Sequence, residues 1–201
     1  MPIARLLREK SVHRVTIHPG EYHVAKQNMI ISTLLGSCVA ACLYDPVSRV
    51  TGMNHFLLAN RKYMKSDPVI VSQAGRYGIH AMELLINGML SKGAARDRLQ
   101  AKAFGGASMM QVAAAGDNFP IIGEVNTRFI REFLKNEGIP LVASDLGGKI
   151  GRIVHFYSAD FSVYMKRMRS DDRSRLDREE HDYWEHCIEE HDHEQAQTDF
   201  W

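Results

Sequence analysis

The apolar run at residues 39–44 limits what this chain can fold into more than any other segment does. The run reads Val-Ala-Ala-Cys-Leu-Tyr, and Asp45-Pro46 ends it with a turn signal. An apolar strand without polar alternation is typical of a strand that is buried on both faces. The chain must therefore place other elements on both sides of this strand.

The flanking segments supply these elements. Residues 49–58 are predicted to return from the turn as the partner strand, and residues 60–76 are predicted to be a surface loop. Apolar residues at helical spacing predict two helices, around 82–90 and 125–134, which end near Gly93 and Gly138. Further strands are predicted at 12–17, 29–33, 99–104 and 139–143, with a closing hairpin at 151–157 and 161–165. This order predicts an α/β or α+β layered sandwich, with mixed β-sheets and two main helices.

Composition indicates one ordinary domain with a tail. The chain has 201 residues, of which 45% are hydrophobic and 24% are charged. We expect a leader at 1–11, a single domain at 12–168 and an acidic, histidine-rich tail at 169–201. Residues 170–201 hold twelve acidic residues against three arginines, so this segment carries −9 and the rest of the chain +10. Such a tail is typical of a disordered segment or a lone helix.

The chain lacks the marks of export or membrane insertion. Its first residues contain no secretory apolar stretch, and no apolar run approaches the roughly 18 residues of a membrane span. Three cysteines are too few, and odd in number, for a disulfide framework. These features predict a cytoplasmic protein.

Cys38 is the candidate nucleophile. It follows Gly36 and Ser37 between two apolar segments, where glycine allows a sharp bend. A cysteine just after such a bend can project its sulfur into a cleft while nearby backbone N–H groups point at the same spot. Those donors, contributed by Gly36 and Ser37, would stabilise the oxyanion that forms when a thiolate attacks a carbonyl.

His55 is the candidate base. It lies on the predicted partner strand, and the turn at 45–46 brings it close to Cys38, as a nucleophile and its base require. The alternative for each residue is structural, because a cysteine among apolar residues is often a buried small hydrophobe. That interpretation fits Cys42 better, since it lies in the middle of the apolar run. Cys187, in the acidic tail, is interpreted as incidental.

Several motifs resemble those of a known family. The chain resembles the CheD family of chemoreceptor glutamine deamidases over roughly residues 12–168. The likeness is carried by segments in the family's order, at 33–46, 52–58, 76–78, 81–87, 101–107, 122–126, 133–140 and 145–148.

The resemblance implies a catalytic cysteine, histidine and threonine on a fold similar to that of deamidating toxin catalytic domains. The cysteine corresponds to Cys38 and the histidine to His55. The third position stays open, because the segment before Cys38 is one residue shorter here than in the family. Ser32 has the spacing and Thr33 has the identity, and either hydroxyl could orient the imidazole.

The resemblance also implies an activity and partners. The activity is hydrolysis of specific glutamine side chains on methyl-accepting chemotaxis receptors through a cysteine thioester, with release of ammonia. This chemistry needs no metal or organic cofactor. The family also implies binding to a CheC-type phosphatase, so the alternative is a non-catalytic chemotaxis adaptor. Neither nucleic-acid binding nor membrane insertion is expected.

Overall fold

The computed structural model describes residues 12–26, 28–58, 70, 73–108 and 122–168, with the backbone alone at 73 and 74. The expected leader and acidic tail lie outside these residues. The strands are β1 (His13–Thr16), β2 (Tyr22–Ala25), β3 (Met29–Leu35), β4 (Val39–Tyr44), β5 (Thr51–Asn54), β6 (Gln100–Gly105), β7 (Leu141–Leu146), β8 (Arg152–Tyr157) and β9 (Val163–Arg167). The helices are α1 (Gln73–Ser91) and α2 (Ile122–Asn136), with a 3₁₀ turn at Arg96–Arg98.

The strands form two sheets. The first has five strands in the order β2-β5-β4-β6-β7, and the second has four in the order β1-β3-β8-β9. Both are mixed, because β6 pairs parallel with β7 and β1 pairs parallel with β3, while the other pairs are antiparallel. The second sheet therefore joins strands from the two ends of the described chain.

The strand β4 lies at the centre of three layers. One of its faces carries Val39, Ala41 and Leu43, which pack in a cluster with side chains of both helices. The other face carries Ala40, Cys42 and Tyr44, which pack against the four-stranded sheet together with Cys38 from just before the strand. All six strand residues are buried, as the sequence predicted. Burying one large apolar side chain contributes roughly 1.5–3 kcal/mol, so this doubly covered strand is the centre of the core.

Glycines lie at the ends of both helices and at the point where the helices contact each other. Gly93 and Gly138 follow α1 and α2 with φ angles of 97° and 66°, in the position of a helix C-cap. The helices approach each other at Gly78, where an added Cβ would lie 2.4 Å from the ring of Phe129. The layered α+β architecture with mixed sheets and two helices is confirmed. The helices of the described segments lack the combination of length and apolar character that a membrane span needs.

Two sequence predictions differ from the structure. The predicted loop at 60–76 is wrong at residues 73–76, which form the first turn of α1; most of its other residues lie outside the described ranges. The predicted partner strand at 49–58 is shorter, since β5 ends at Asn54. The ladder with β4 is interrupted at this point because the side-chain Oδ1 of Asn54 accepts the Ala41 N–H at 3.0 Å, and pairing resumes only between Val39 and Phe56.

Candidate active site

Cys38 and His55 face the space between the two sheets. The register of β4 and β5 continues beyond β5 to an isolated antiparallel pair between Val39 and Phe56. Because neighbouring strand residues alternate between faces, Cys38 and His55 lie on the same face at diagonal positions of this pair. Diagonal residues on two paired strands are about 7–8 Å apart, a gap that a cysteine and an imidazole side chain can span together.

Thr33 supplies a hydroxyl to His55 from the opposite sheet. Its Oγ1 lies 2.8 Å from Nδ1 of His55, and the same hydroxyl lies 2.8 Å from the carbonyl oxygen of Ile17. Thr33 is on β3, whereas His55 follows β5, so this contact crosses the interface between the sheets. Both side chains are buried, each with 2% of its surface exposed.

These two contacts determine the tautomer of His55. A hydroxyl has one proton, and the Ile17 carbonyl can only accept a hydrogen bond. Thr33 therefore donates to Ile17 and accepts from the Nδ1–H of His55, which leaves Nε2 without a proton. Nε2 is buried and has no hydrogen-bond partner within the described residues. The nitrogen that faces no partner is thus the one able to take a proton.

The surroundings keep the imidazole neutral. Burial, with a smaller contribution from the charge of nearby His18, lowers the pKa of His55 from 6.5 to about 3, although the Ile17 carbonyl acts in the opposite direction. At neutral pH the ring is therefore uncharged, which is the form that a general base requires.

Ser32 does not contact His55. Its side chain lies on the outer face of β3, where Oγ is 2.8 Å from Nδ1 of His155 on β8. Ser32 and Thr33 are adjacent strand residues, so they face opposite sides of the sheet. Of the two hydroxyls that the sequence left open, the structure brings Thr33 to the imidazole.

The bend before β4 is tied to a pair of glycines at the end of β6. The Gly36 carbonyl accepts from the Ala107 N–H, and the Cys38 carbonyl accepts from the Gly106 N–H, each at 2.7 Å. Gly105 and Gly106 have φ angles of 112° and 69°, whereas Gly36 is not among the residues with positive φ. A Cβ at Gly105 would lie 2.2 Å from the Cys38 oxygen. The bend predicted from Gly36 therefore also depends on the facing glycines, because Gly105 has no Cβ to meet the Cys38 carbonyl.

Asn126 connects the two halves of the site. Its Nδ2 donates to the Ser37 carbonyl at 2.8 Å, and its Oδ1 accepts from the Leu58 N–H at 2.8 Å. One fully buried amide on α2 thus holds the residue before Cys38 and a residue shortly after His55. This role of Asn126 was not predicted from the sequence. The available signal was a polar residue on the apolar face of a strongly amphipathic helix.

Cys42 has the environment of a core residue. It is fully buried, and burial raises the pKa of its thiol well above the usual range, with only partial relief from the charge of Lys102. A thiol held protonated in this way is a poor nucleophile. The prediction that Cys42 belongs to the core agrees with this position.

The comparisons with known proteins give one family. A family model described as CheD chemotactic sensory transduction matches residues 57–167. A Geobacter sulfurreducens protein named "Probable chemoreceptor glutamine deamidase CheD 1" is 51% identical over 189 residues, covering 94% of each chain. A Shewanella oneidensis protein named "Probable chemoreceptor glutamine deamidase CheD 2" is 46% identical over 179 residues, covering 88% of each.

The long alignments reach the candidate site. The family model begins at residue 57, after His55, whereas an alignment over 94% of the chain includes the segment from Thr33 to His55. Among solved structures, the hypothetical protein YfiH of Bacillus licheniformis aligns with a TM-score of 0.41 and 14% identity, over 71% of this chain and 67% of its own.

Proposed function

Because this chain belongs to the CheD family of chemotaxis proteins, we propose that it deamidates specific glutamine side chains of methyl-accepting chemotaxis receptors to glutamate. The observation that carries the proposal is the contact between Thr33 and His55, with Cys38 on the same face as the imidazole. It supports a cysteine nucleophile with a histidine base of fixed tautomer. The curated relatives are named for this activity.

The proposed reaction begins with proton transfer from Cys38 to Nε2 of His55. The thiolate attacks the carboxamide carbon of the glutamine, and the carbonyl electrons move to oxygen. Backbone N–H groups of the bend at Gly36 and Ser37 are proposed to stabilise that oxyanion, a contribution of about 3–4 kcal/mol per donor elsewhere. The imidazolium then returns its proton to the departing nitrogen, which leaves as ammonia.

A thioester between Cys38 and the former glutamine remains. His55 removes a proton from water, the resulting hydroxide attacks the thioester, and glutamate leaves as the thiol is restored. The sum is hydrolysis of one amide by one water. Each proton transfer in this cycle uses Nε2 of His55. Its lone pair is available because the proton of the imidazole is on Nδ1, where it is hydrogen-bonded to Thr33.

The buried nucleophile adds a requirement for access. Cys38 has no exposed surface, and His55 has 2%. A glutamine on another protein therefore reaches the sulfur only after the residues over the site move apart. This requirement favours substrates that bind a broad surface over small amides, because the energy of wide contacts can support the opening.

The test uses a purified receptor cytoplasmic fragment. Wild-type protein is expected to release ammonia and to increase the fragment mass by the difference between a hydroxyl and an amino group per converted glutamine. Cys38→Ala should lower the rate by at least about 10³-fold, as for other removed nucleophiles, whereas the matched Cys42→Ala should retain activity. Full activity in Cys38→Ala would refute the mechanism. No conversion by wild-type protein would favour the adaptor that binds a CheC-type phosphatase.

A further inference from the structure

A basic pocket lies beyond the edge of the candidate site. Its volume is about 300 Å³, and it is formed by β7, β8, β9, the segment between β7 and β8, and Arg131 of α2. Its described lining includes four cations against one carboxylate, contributed by Arg131, Lys149, Arg152, Arg167 and Asp145. The charge of the described lining is therefore +3.

The floor of the pocket is rigid. Arg152 is 3% exposed, and its guanidinium donates to Oδ1 of Asp145 at 2.6 Å through Nε. The same group donates to the Gly147 carbonyl at 2.6 Å. Arg167 adds a longer contact to Asp145 at 3.6 Å. Arg152 is thus a buried part of the pocket floor, whereas the side chains of Arg131, Lys149 and Arg167 are exposed.

A short chain of backbone contacts joins this pocket to the bend that carries Cys38. The Gly147 N–H donates to the Gly105 carbonyl at 2.9 Å. The N–H of Gly106, which follows Gly105, donates to the Cys38 carbonyl at 2.7 Å. The backbone of Gly147, which lines the pocket, is therefore two strand spacings from that of Cys38, about 10 Å. A protein substrate that places one side chain at Cys38 covers this distance.

We propose that the pocket of Arg131, Lys149, Arg152 and Arg167 binds a carboxylate side chain of the substrate protein, about 10 Å from the glutamine that reacts. The inference rests on the proposed function for its substrate, although the pocket can be tested by binding alone. An acidic residue would lie about three positions from the glutamine in an extended segment, at 3.3 Å per residue. On a helix it would lie about seven positions away, at 1.5 Å per residue.

Charge supports this occupant. Guanidinium groups match carboxylates in geometry and can bind them with two parallel hydrogen bonds. The Arg131 and Lys149 side chains are exposed, so each is expected to contribute at the level of a surface ion pair rather than a buried one. The pocket then acts as a specificity determinant that selects glutamines with an acidic neighbour.

The experiment measures binding to Cys38→Ala protein, which holds substrate without reacting. The probes are fluorescent glutamine peptides of equal length, with glutamate or alanine at the third or seventh position from the glutamine. The double variant Arg131→Ala/Lys149→Ala should weaken binding of the better glutamate peptide about 5- to 30-fold and leave the alanine peptide unchanged. Lys135→Ala, an exposed cation one turn further along α2, is the matched control and should change binding less than 2-fold.

The outcomes separate the two proposals. Equal affinities for the glutamate and alanine peptides, or equal losses in the double variant and Lys135→Ala, would overturn the pocket inference even if wild-type protein releases ammonia. Selective loss in the double variant, with no ammonia from wild-type protein, would support the pocket and refute the deamidase. Raising the salt from 0.05 M to 0.5 M should remove most of the difference between the peptides, because it shortens the screening length.

Discussion

Thr33 and His55 hydrogen-bond at 2.8 Å across two different β-sheets, so the candidate base is oriented by a strand to which its own strand is not paired. The site therefore depends on the packing of one sheet on the other as well as on the hairpin that brings His55 to Cys38. Substitutions in the four-stranded sheet should therefore change the orientation of His55, whereas substitutions in the five-stranded sheet should change its distance from Cys38.

Thr33→Val should remove the acceptor for Nδ1–H while keeping the shape of the side chain. The imidazole then loses the contact that sets its tautomer, and we expect kcat to fall about 10- to 100-fold, the scale of a misplaced catalytic group. Thr33→Ser should recover most of the activity, and Ser32→Ala should behave like wild type. The measurement is ammonia release with the receptor fragment. Equal effects of Thr33→Val and Ser32→Ala would contradict the orienting role of Thr33.

The pKa of His55 predicts how stability changes with pH. Unfolded His55 takes up a proton near pH 6.5, whereas folded His55, with its lowered pKa, does so only near pH 3. Its contribution is therefore fully present above pH 6.5 and declines as the pH falls towards 3, by at most about 1.4 kcal/mol per pH unit. Urea denaturation at pH 7, 6, 5 and 4 should show this decline.

The neutral variant His55→Gln provides the comparison for that titration. Its free energy of unfolding should fall less steeply over the same interval, because one fewer proton is taken up on unfolding. Parallel curves for the wild type and His55→Gln would show that the buried imidazole does not stay neutral in the folded protein.

Gly105→Ala should disturb the bend that carries Cys38. Its Cβ would meet the Cys38 carbonyl oxygen, and the φ angle of 112° is one that alanine rarely adopts. Gly138→Ala is the matched control, because Gly138 has a φ of 66° and no atom within 4 Å of an added Cβ. The control should lose about 1 kcal/mol from backbone strain, whereas Gly105→Ala should lose more stability and most activity. Similar losses of both would mean that the Cys38 contact is unimportant.

Asn126→Ala should separate the two halves of the site. It leaves the Ser37 carbonyl and the Leu58 N–H without their amide partner, and each unsatisfied buried group costs about 1–3 kcal/mol. We expect a lower urea midpoint and a lower kcat in the fraction that remains folded. Glu124→Gln, a polar change in the first turn of the same helix, should leave both quantities near wild type. A stable, fully active Asn126→Ala protein would refute the connecting role.

Alkylation should distinguish the two core cysteines. Cys42 has a raised thiol pKa and is buried, so iodoacetamide should not label it in the folded protein. Cys38 is also fully buried, so its labelling should follow the opening that a substrate needs and should slow when receptor fragment is bound. Peptide mass spectrometry reports each site separately. Faster labelling of Cys42 than of Cys38 would contradict the assigned roles.

The sequence predicted the fold well where the apolar pattern was unambiguous. The run at 39–44 has the observed bounds of β4, and both helices contain the residues at helical spacing, although α1 begins earlier, at Gln73. The sequence did not predict β2 (Tyr22–Ala25), which is short and carries too little alternation to identify. It also could not predict that the β4–β5 ladder is interrupted at Asn54, because that depends on the Asn54 side chain accepting the Ala41 N–H.

The choice between Ser32 and Thr33 shows where sequence reasoning ends. Alternation places them on opposite faces, but the apolar pairs at 30–31 and 34–35 flank them, so the pattern does not say which face is inner. The answer depends on sheet packing. Ile31 and Leu35 pack between the sheets, and Thr33 shares their face. Asn126 was missed for a related reason, since its partners lie on two distant segments.

The order β1-β3-β8-β9 also has a consequence for synthesis on the ribosome. Cys38 and His55 emerge early, but Thr33 lies on β3, whose neighbour β8 spans Arg152–Tyr157. Until that late strand has left the exit tunnel, the sheet that orients the imidazole lacks an interior strand. The nascent chain therefore carries its thiol without an oriented base, and nucleophilic reactivity should arise only after residues 152–157 have emerged.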